Sequence, residues 1–312
     1  MSGDRSAPSI TAIILTYNEH LHIGRCIERL KDWCQQIIVV DSFSNDGTQD
    51  IARSLGAQVH ERRFVNQAEQ FQWALDMLPI ATDWVLRVDA DEYFEPALVA
   101  EIRERLPQLD AETSGVTFRR KMIFRGRWIR WGTYYPVFLL RLFRTGAARV
   151  EQRWMDEHIQ LNHGTACLFG GGDFVDENLQ TIGAWTDKHN RYATRHMVDF
   201  VGRKYQFVPT EPMPTNRRAR TKRWLRERVF GGAPLYLRSL LYFLYRYVAR
   251  FGFLDGRLGF VWHFLHGFWF FMLIDAKIDE AEQQIARHGR ESFPQWLADR
   301  YGFTDLLPGS GG

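Results

Sequence analysis

Apolar runs and periodic segments alternate along the first ninety residues. Ile10-Thr-Ala-Ile-Ile-Leu-Thr16 is apolar and β-branched almost without interruption, the pattern of a strand covered on both faces. Ile23, Cys26, Ile27 and Leu30 then recur at helical spacing, and Gln35-Gln-Ile-Ile-Val-Val40 predicts a second strand that ends at Asp41. Ser42-Phe-Ser-Asn-Asp-Gly-Thr48 is rich in turn formers, with Asp46 or Thr48 placed to cap a helix reaching about Leu55. Gly56 to His60 predicts a third strand. Asn66 to Leu78 predicts a helix whose inner positions are Ala68, Phe71, Ala74, Leu75 and Leu78, and Trp84 to Val88 a fourth strand. This alternation argues for an α/β fold: a mostly parallel, doubly wound sheet flanked by helices, with right-handed crossovers.

In such a sheet the carboxyl ends of neighbouring strands open onto one crevice. Tyr17-Asn18-Glu19, Asp41 and Asp89-Ala90-Asp91 are therefore expected to converge, although they are far apart in the chain. Asp89 and Asp91 are two residues apart, so an extended backbone points both carboxylates to one side. Hard oxygen donors of this kind suit Mg²⁺ or Mn²⁺, which neutralises a diphosphate. Alone, Asp-x-Asp is also what a solvated turn or a helix cap looks like. Three polar strand ends together point instead to a nucleotide, since Asp41 and Glu19 can accept hydrogen bonds from ribose hydroxyls or a uracil N–H. No Gly-x-Gly-x-x-Gly follows the first strand and no Gly-x-x-x-x-Gly-Lys-Ser/Thr occurs, which argues against dinucleotide oxidoreductases and P-loop ATPases. Neither His-Glu-x-x-His nor a cysteine pair offers a zinc site.

Composition adds scale and polarity. A chain of 312 residues, 45% hydrophobic and 14% aromatic, is large enough for one α/β domain and an appendage. Its formal charge is only +3, but Arg119 to Arg153 and Arg217 to Arg228 are strongly basic, which favours an anionic partner. Cys26, Cys34 and Cys167 show no paired spacing and read as reduced thiols of a cytoplasmic protein. Met1 to Ser9, expected to be disordered, lacks the apolar core and cleavage site of a signal peptide.

Ile13-Ile-Leu-Thr-Tyr-Asn-Glu19, Ile38-Val-Val-Asp-Ser-Phe-Ser-Asn-Asp-Gly-Thr48 and Leu86-Arg-Val-Asp-Ala-Asp-Glu92, in this order and spacing, resemble the successive signatures of family 2 nucleotide-sugar glycosyltransferases. Gly126-Arg-Trp-Ile-Arg-Trp-Gly132, Tyr135-Pro136, Leu140-Arg-Leu-Phe-Arg144 and Phe251-Gly-Phe-Leu-Asp-Gly256 are similar to the subgroup containing bacterial lipopolysaccharide core glucosyltransferases, so the likeness runs from residue 10 to about 280. The resemblance implies a GT-A fold and an inverting transfer from a nucleotide-linked sugar, UDP above all, assisted by Mg²⁺ or Mn²⁺. It places Thr16, Tyr17, Glu19 and Asp41 at the nucleoside, Asp89 at the ribose and diphosphate, Asp91 on the metal, and Gln67 and Gln70 near the donor. Asp156-Glu157-His158 aligns with the subgroup's His-Glu pair, which makes Glu157 the expected base with Asp156 in reserve. Asp173, in Gly170-Gly-Gly-Asp-Phe174, falls where many relatives carry a metal-binding His and is a candidate second ligand.

Between these acids, Arg119 to Trp131 interleaves cations with aromatics. In a nucleic-acid protein such a stretch contacts phosphates and stacks bases; in a glycosyltransferase Trp128 or Trp131 would stack on sugar, with arginine for a phosphorylated acceptor and Tyr135 as a further acceptor or phosphate contact. The plain alternative is an amphipathic hairpin with a solvated face. Arg141 and Arg144 alternate with Leu142 and Phe143 as in a strand, and either one suits a diphosphate.

The last third differs in character. A basic stretch, Asn216 to Arg228, precedes two aromatic-rich helical runs, Pro234 to Val248 and Leu258 to Ile274. Cations beside such helices suit the headgroup boundary of an anionic membrane. The second run, bounded by Arg257 and Asp275, is at the lower limit for a span, so helices lying in the interface are expected. The resulting organisation is a catalytic domain over 10–205, split into a nucleotide-sugar half (10–106) and an acceptor half (107–205), then a helical membrane-associating region over 206–305 and a tail over 306–312. The expected function is transfer of a sugar to a lipid-linked, lipopolysaccharide or exopolysaccharide acceptor at the cytoplasmic face of the bacterial inner membrane, the protein being peripheral or monotopic. Two other classes fit less well. Sugar-nucleotide nucleotidyltransferases usually carry a Gly-rich basic loop after the first strand, where this chain has Tyr17-Asn18-Glu19, and a nucleic-acid-binding protein would leave the acidic strand ends unused.

Overall fold

The computed structural model describes residues 8–155, 157–207, 234–304 and 306. Asp156, the basic stretch over 216–228, residues before 8 and the tail beyond 306 lie outside the described residues. Two compact units form, one from residues 1–152 and 156–180, the other from 153–155 and 181–312.

The first unit opens with β1 (Ile10–Thr16), α1 (Ile23–Leu30), β2 (Gln36–Asp41), α2 (Thr48–Ser54), β3 (Gln58–Glu61), α3 (Gln67–Met77) and β4 (Trp84–Asp89), in the expected order. It continues through β5 (Glu92–Phe94), α4 (Pro96–Arg105), β6 (Thr113–Phe124), β7 (Arg127–Ile129), β8 (Val137–Arg144), β9 (Ala148–Val150), β10 (Ile159–Leu161) and β11 (Thr165–Glu177). The main sheet has the order β3-β2-β1-β4-β8-β6-β11-β5, with β7 paired to β6 at the side. Its first four strands are parallel. Beyond β4 the sheet is mixed: β8 runs antiparallel to β4 and β6, while β6 and β11 are parallel. Helices cover both faces. Ala12 and Ile14 of β1 pack with Ile23, Cys26 and Ile27 of α1, whereas Ile13 packs on the other face with Phe71 and Ala74 of α3, which is why β1 is apolar throughout. Each fully buried Ile stabilises the fold by roughly 1.5–3 kcal/mol.

Local chemistry sets the helix starts. Asn66 caps α3, its side chain accepting the Glu69 N–H at 2.8 Å. At α2 the cap position is Gly47, in the left-handed region at φ 88°, and Asp46 accepts the Thr48 N–H at 3.0 Å. The Gly170-Gly-Gly172 run has a packing reason: a Cβ on Gly172 would lie 2.7 Å from the backbone N of Leu98 in α4.

The second unit is helical: α5 (Ile182–Lys204), α6 (Leu237–Leu244) continuing into a π turn (Tyr245–Ala249), α7 (Gly256–Phe264), a second π turn (Leu265–Trp269), α8 (Phe270–His288) and α9 (Phe293–Tyr301). Composition places the domain boundary near 205, but packing assigns α5 to this unit. Lys277 Nζ of α8 donates to Thr194 Oγ1 of α5 at 2.9 Å, and Tyr205 OH donates to Glu282 at 2.6 Å.

Candidate active site

The connection from β1 goes to β2 on one side, and the chain later returns to place β4 on the other. This makes the gap between β1 and β4 the point where strand order reverses, and open α/β sheets bind ligands outside the carboxyl ends of the strands at such a point. Register brings the expected strand ends together there: Thr16 pairs with Asp41, and Leu15 with Asp89.

On the β1–β2 side the polar groups are knitted to one another. Asp41 is fully buried and accepts from Thr16 Oγ1 (2.7 Å), from the Ser44 N–H (2.7 Å) and hydroxyl (2.6 Å), and from Gln49 Nε2 (2.8 Å). A carboxylate so surrounded organises the 42–48 loop. Gln70, also buried, donates to Ser42 Oγ at 2.9 Å. Glu19 accepts from His22 Nδ1 at 2.6 Å, and His22 Nε2 accepts the Leu179 N–H at 2.8 Å, which fixes the tautomer. Asn18, at φ 55°, ties the two loops by donating its N–H to Ser44 Oγ and accepting the Asn45 N–H. Burial works against ionisation of Asp46, but hydrogen bonds from Thr48 and His20 outweigh it and hold the carboxyl down at about 2. Tyr17 is left exposed at 54%, the expected nucleoside contact open to a ligand, and Gln67 is half-buried at the start of α3.

At the β4 end, acids and arginines interleave. Asp89 and Asp91 are both partly exposed. Arg141 of β8 donates to Asp89 Oδ2 at 3.2 Å and to the buried Glu92 at 2.5 Å. Burial opposes charge on Arg141, yet the facing Glu92 and Asp89 carboxylates push its pKa up, so it stays a guanidinium. Arg87, two residues before Asp89 and on the same face of β4, donates to Glu157 Oε1 at 2.6 Å while its Nε lies 3.9 Å from Asp89 Oδ1. The expected base therefore stands one guanidinium away from the first acid of the Asp-x-Asp pair. Asp91 accepts from Asn178 Nδ2 at 3.1 Å, and its carbonyl accepts from Arg25 and from the Glu177 N–H. Cys26 sits behind this cluster with its Sγ 3.9 Å from the Asp89 carbonyl; burial first, then Glu92, Asp91 and Asp89, raise its pKa well above the usual thiol value.

Two expected residues lie elsewhere. Arg144 is opposite Trp84, at the other end of β4, where it caps the carbonyls of Thr113 and Asp110. Asp173 lies along β11 away from Asp91: the register sets Asp176 against Glu92 and puts Glu177 at Asp91. Asp173 instead accepts from Arg119 Nε at 2.9 Å and from Tyr135 OH at 3.1 Å, so it is not assigned to the metal. That second cluster includes Trp128, edge-on to Tyr135 at 5.0 Å with Lys121 over its ring, and the exposed Trp131. It gathers the expected acceptor residues Trp128, Trp131 and Tyr135 beside an ion-paired carboxylate. Arg87, Glu92 and Asn178 were not singled out from sequence. Arg87 had a signal, a charge inside an otherwise apolar strand; Asn178 had none.

Acidic strand ends at the switch point of an α/β sheet, crossed by arginines, stand where such sheets bind their ligands. The family model "Glycosyl transferase family 2" matches residues 11–169, just over half of the chain, and the protein belongs to that family. An uncharacterized glycosyltransferase of Rickettsia prowazekii (strain Madrid E) is 40% identical over 93 residues, 30% of this chain and 31% of that one. The lipopolysaccharide core biosynthesis glycosyltransferase LpsC of Rhizobium meliloti (strain 1021) is 32% identical over 152 residues, 46% of this chain and 53% of LpsC. The matches thus span from just under a third to about half of the length of these relatives. Among solved structures, glucosyl-3-phosphoglycerate synthase from Mycobacterium tuberculosis, in complex with Mn²⁺, UDP and glucosyl-3-phosphoglycerate, overlaps at a TM-score of 0.30 and 22% identity over 38% of this chain and 45% of that one, too little to bear on ligand or mechanism.

Proposed function

We propose that the protein transfers a sugar, with inversion, from a UDP-linked donor to a lipid-linked or lipopolysaccharide or exopolysaccharide acceptor at the cytoplasmic face of a bacterial inner membrane. The observation that carries the reading is the chain Glu157–Arg87–Asp89–Arg141 beside Asp91 at the switch point. The acceptor class is supported by the name of LpsC and by the Trp128–Tyr135 cluster with its exposed Trp131.

Glu157 takes the proton from the acceptor hydroxyl as that oxygen bonds to the anomeric carbon, and the bond from that carbon to the diphosphate breaks. Arg141, held by Asp89 and Glu92, would offset the charge of the diphosphate, and Arg87 holds Glu157. The carboxylates of Asp89 and Asp91 are oxygen donors that fit Mg²⁺ or Mn²⁺, whereas Asn178 turns its Nδ2 to Asp91 and its Oδ1 accepts the Gln180 N–H. When bound, such a cation neutralises the leaving diphosphate.

Glu157→Gln should bind UDP as the wild type does and lose turnover by about 10²-fold or more. Single-turnover transfer at an unchanged rate in this variant would remove Glu157 as the base and leave Asp156 in its place.

A further inference from the structure

Twelve of the twenty-one exposed large apolar side chains among the described residues fall between Tyr236 and Phe264. On α6 and its π turn they stand at Leu237, Leu240, Leu241, Leu244 and Val248, a single stripe at helical spacing that faces outward. The inner side of the same helix is polar. Arg238 Nε donates to Asp275 Oδ1 at 2.7 Å, Ser239 Oγ donates to Asp275 Oδ2 at 2.6 Å, and Arg246 Nη1 donates to Tyr242 OH at 2.7 Å. Arg238, Ser239 and Arg246 are all buried. A surface helix of a water-soluble domain is oriented the other way, apolar stripe inward.

The following arm repeats the inversion. Phe260 and Phe264 of α7 are exposed, whereas His263 is fully buried with its Nε2 3.2 Å from Asp255 Oδ2. Gly252 makes room for that ring, since a Cβ there would meet His263 at 2.7 Å. Ring contacts run in opposite senses along the arms, Tyr242 to Phe271, Phe243 to Phe268 and Tyr247 to Phe260, so the two form an antiparallel hairpin. At its bend Phe251, Phe253 and Leu254 are exposed between Arg250 and Arg257.

We propose that residues 236–264 are a monotopic docking surface that lies in the headgroup–acyl boundary of an anionic bilayer. It deepens the membrane part of the function proposed above and rests on it; donor chemistry does not enter. The sign of charge selects the occupant. Arg250 and Arg257 are the exposed charged residues of the stretch, while its carboxylate, Asp255, is buried, so the surface offers cations and aromatics together. Geometry selects the in-plane pose. The arm from Leu237 to Ala249 is about 20 Å long against a hydrocarbon core of about 30 Å. Upright insertion would also drive both arginines of the bend deep into hydrocarbon, whereas in the plane they reach headgroups. The continuous helix Gly252–His288 is long and apolar enough to cross a membrane, but 39% of its most apolar window is buried against protein, with Trp262, His263 and Phe270 turned inward.

The test is flotation of the full purified chain with phosphatidylethanolamine–phosphatidylglycerol vesicles and with phosphatidylcholine vesicles, with UDP binding measured on the same samples without lipid. The wild type should float with the anionic vesicles. Leu241→Ser/Val248→Ser should lower its partition coefficient at least tenfold, and Arg250→Gln/Arg257→Gln should erase the preference for anionic lipid, with UDP binding unchanged in both. A wild type that stays unbound with both vesicle types overturns the inference. So does a lipid-independent dimer that Leu241→Ser/Val248→Ser dissociates, which would make the face a contact between copies of this chain. Flotation without UDP binding would instead remove the donor reading and leave this one standing.

Discussion

The β-sheet unit and the hairpin of the helical unit use similar residues in opposite ways. Around β1 and β4, Ile13, Ile14 and Val88 are sealed between helices, and arginines and carboxylates gather where strands end and water enters. In the hairpin, Arg238, Asp275, Asp255 and His263 are the sealed groups, and leucines and phenylalanines face out. The difference fits the two proposed surroundings: a site for an anionic ligand would need fixed charge next to solvent, and a helix lying against lipid would need its polar groups satisfied internally.

The sharpest way to break the comparison is at Asp275. Asp275→Asn removes a buried carboxylate that accepts from Arg238 and Ser239 and should cost about 3–5 kcal/mol of stability, readable by denaturant titration. Replacing Arg238 and Asp275 together by Met and Leu should be far milder, because no charge is stranded. If the single change is silent, the interior of the hairpin is wetter than its packing implies.

A smaller effect separates the units by pH. Burial first of all, with the Trp185 carbonyl accepting from Nδ1 and acting the other way, lowers the pKa of His189 from 6.5 to about 4. The folded state therefore binds this proton more weakly than the unfolded chain. Its contribution is complete above pH 6.5 and falls as pH drops toward 4, by up to about 3 kcal/mol. His189→Phe should flatten that slope between pH 6.5 and 4; a slope that survives the substitution would belong to other groups.

Sequence pattern was most legible where strands are covered on both faces. β1 to β4 follow from apolar runs alone, and the meeting of Tyr17, Asp41 and Asp89 follows from the rule for strand ends. Legibility stopped where antiparallel register matters. Arg141 and Arg144 look alike in sequence, but pairing of β8 with β4 sends one to Asp89 and the other to the far end. Asp173 is separated from Asp91 for the same reason, through the pairing of β11 with β5. The saturation of Asp41 had a local signal, since Asp41-Ser-Phe-Ser44 is an Asx-turn sequence whose aspartate bonds its own loop. In the Leu258–Ile274 run the residues are apolar on all sides, so nothing in the pattern distinguishes the exposed Phe260 and Phe264 from the buried Phe270.

The measurement that bears most directly on the crevice is calorimetric binding of UDP, GDP, ADP and TDP, with and without Mn²⁺, to the wild type and to Asp91→Asn. The account predicts selective, Mn²⁺-dependent UDP binding that is lost in Asp91→Asn while thermal unfolding is unchanged. Equal UDP binding by both proteins, or no nucleotide binding by the wild type under any of these conditions, would contradict it.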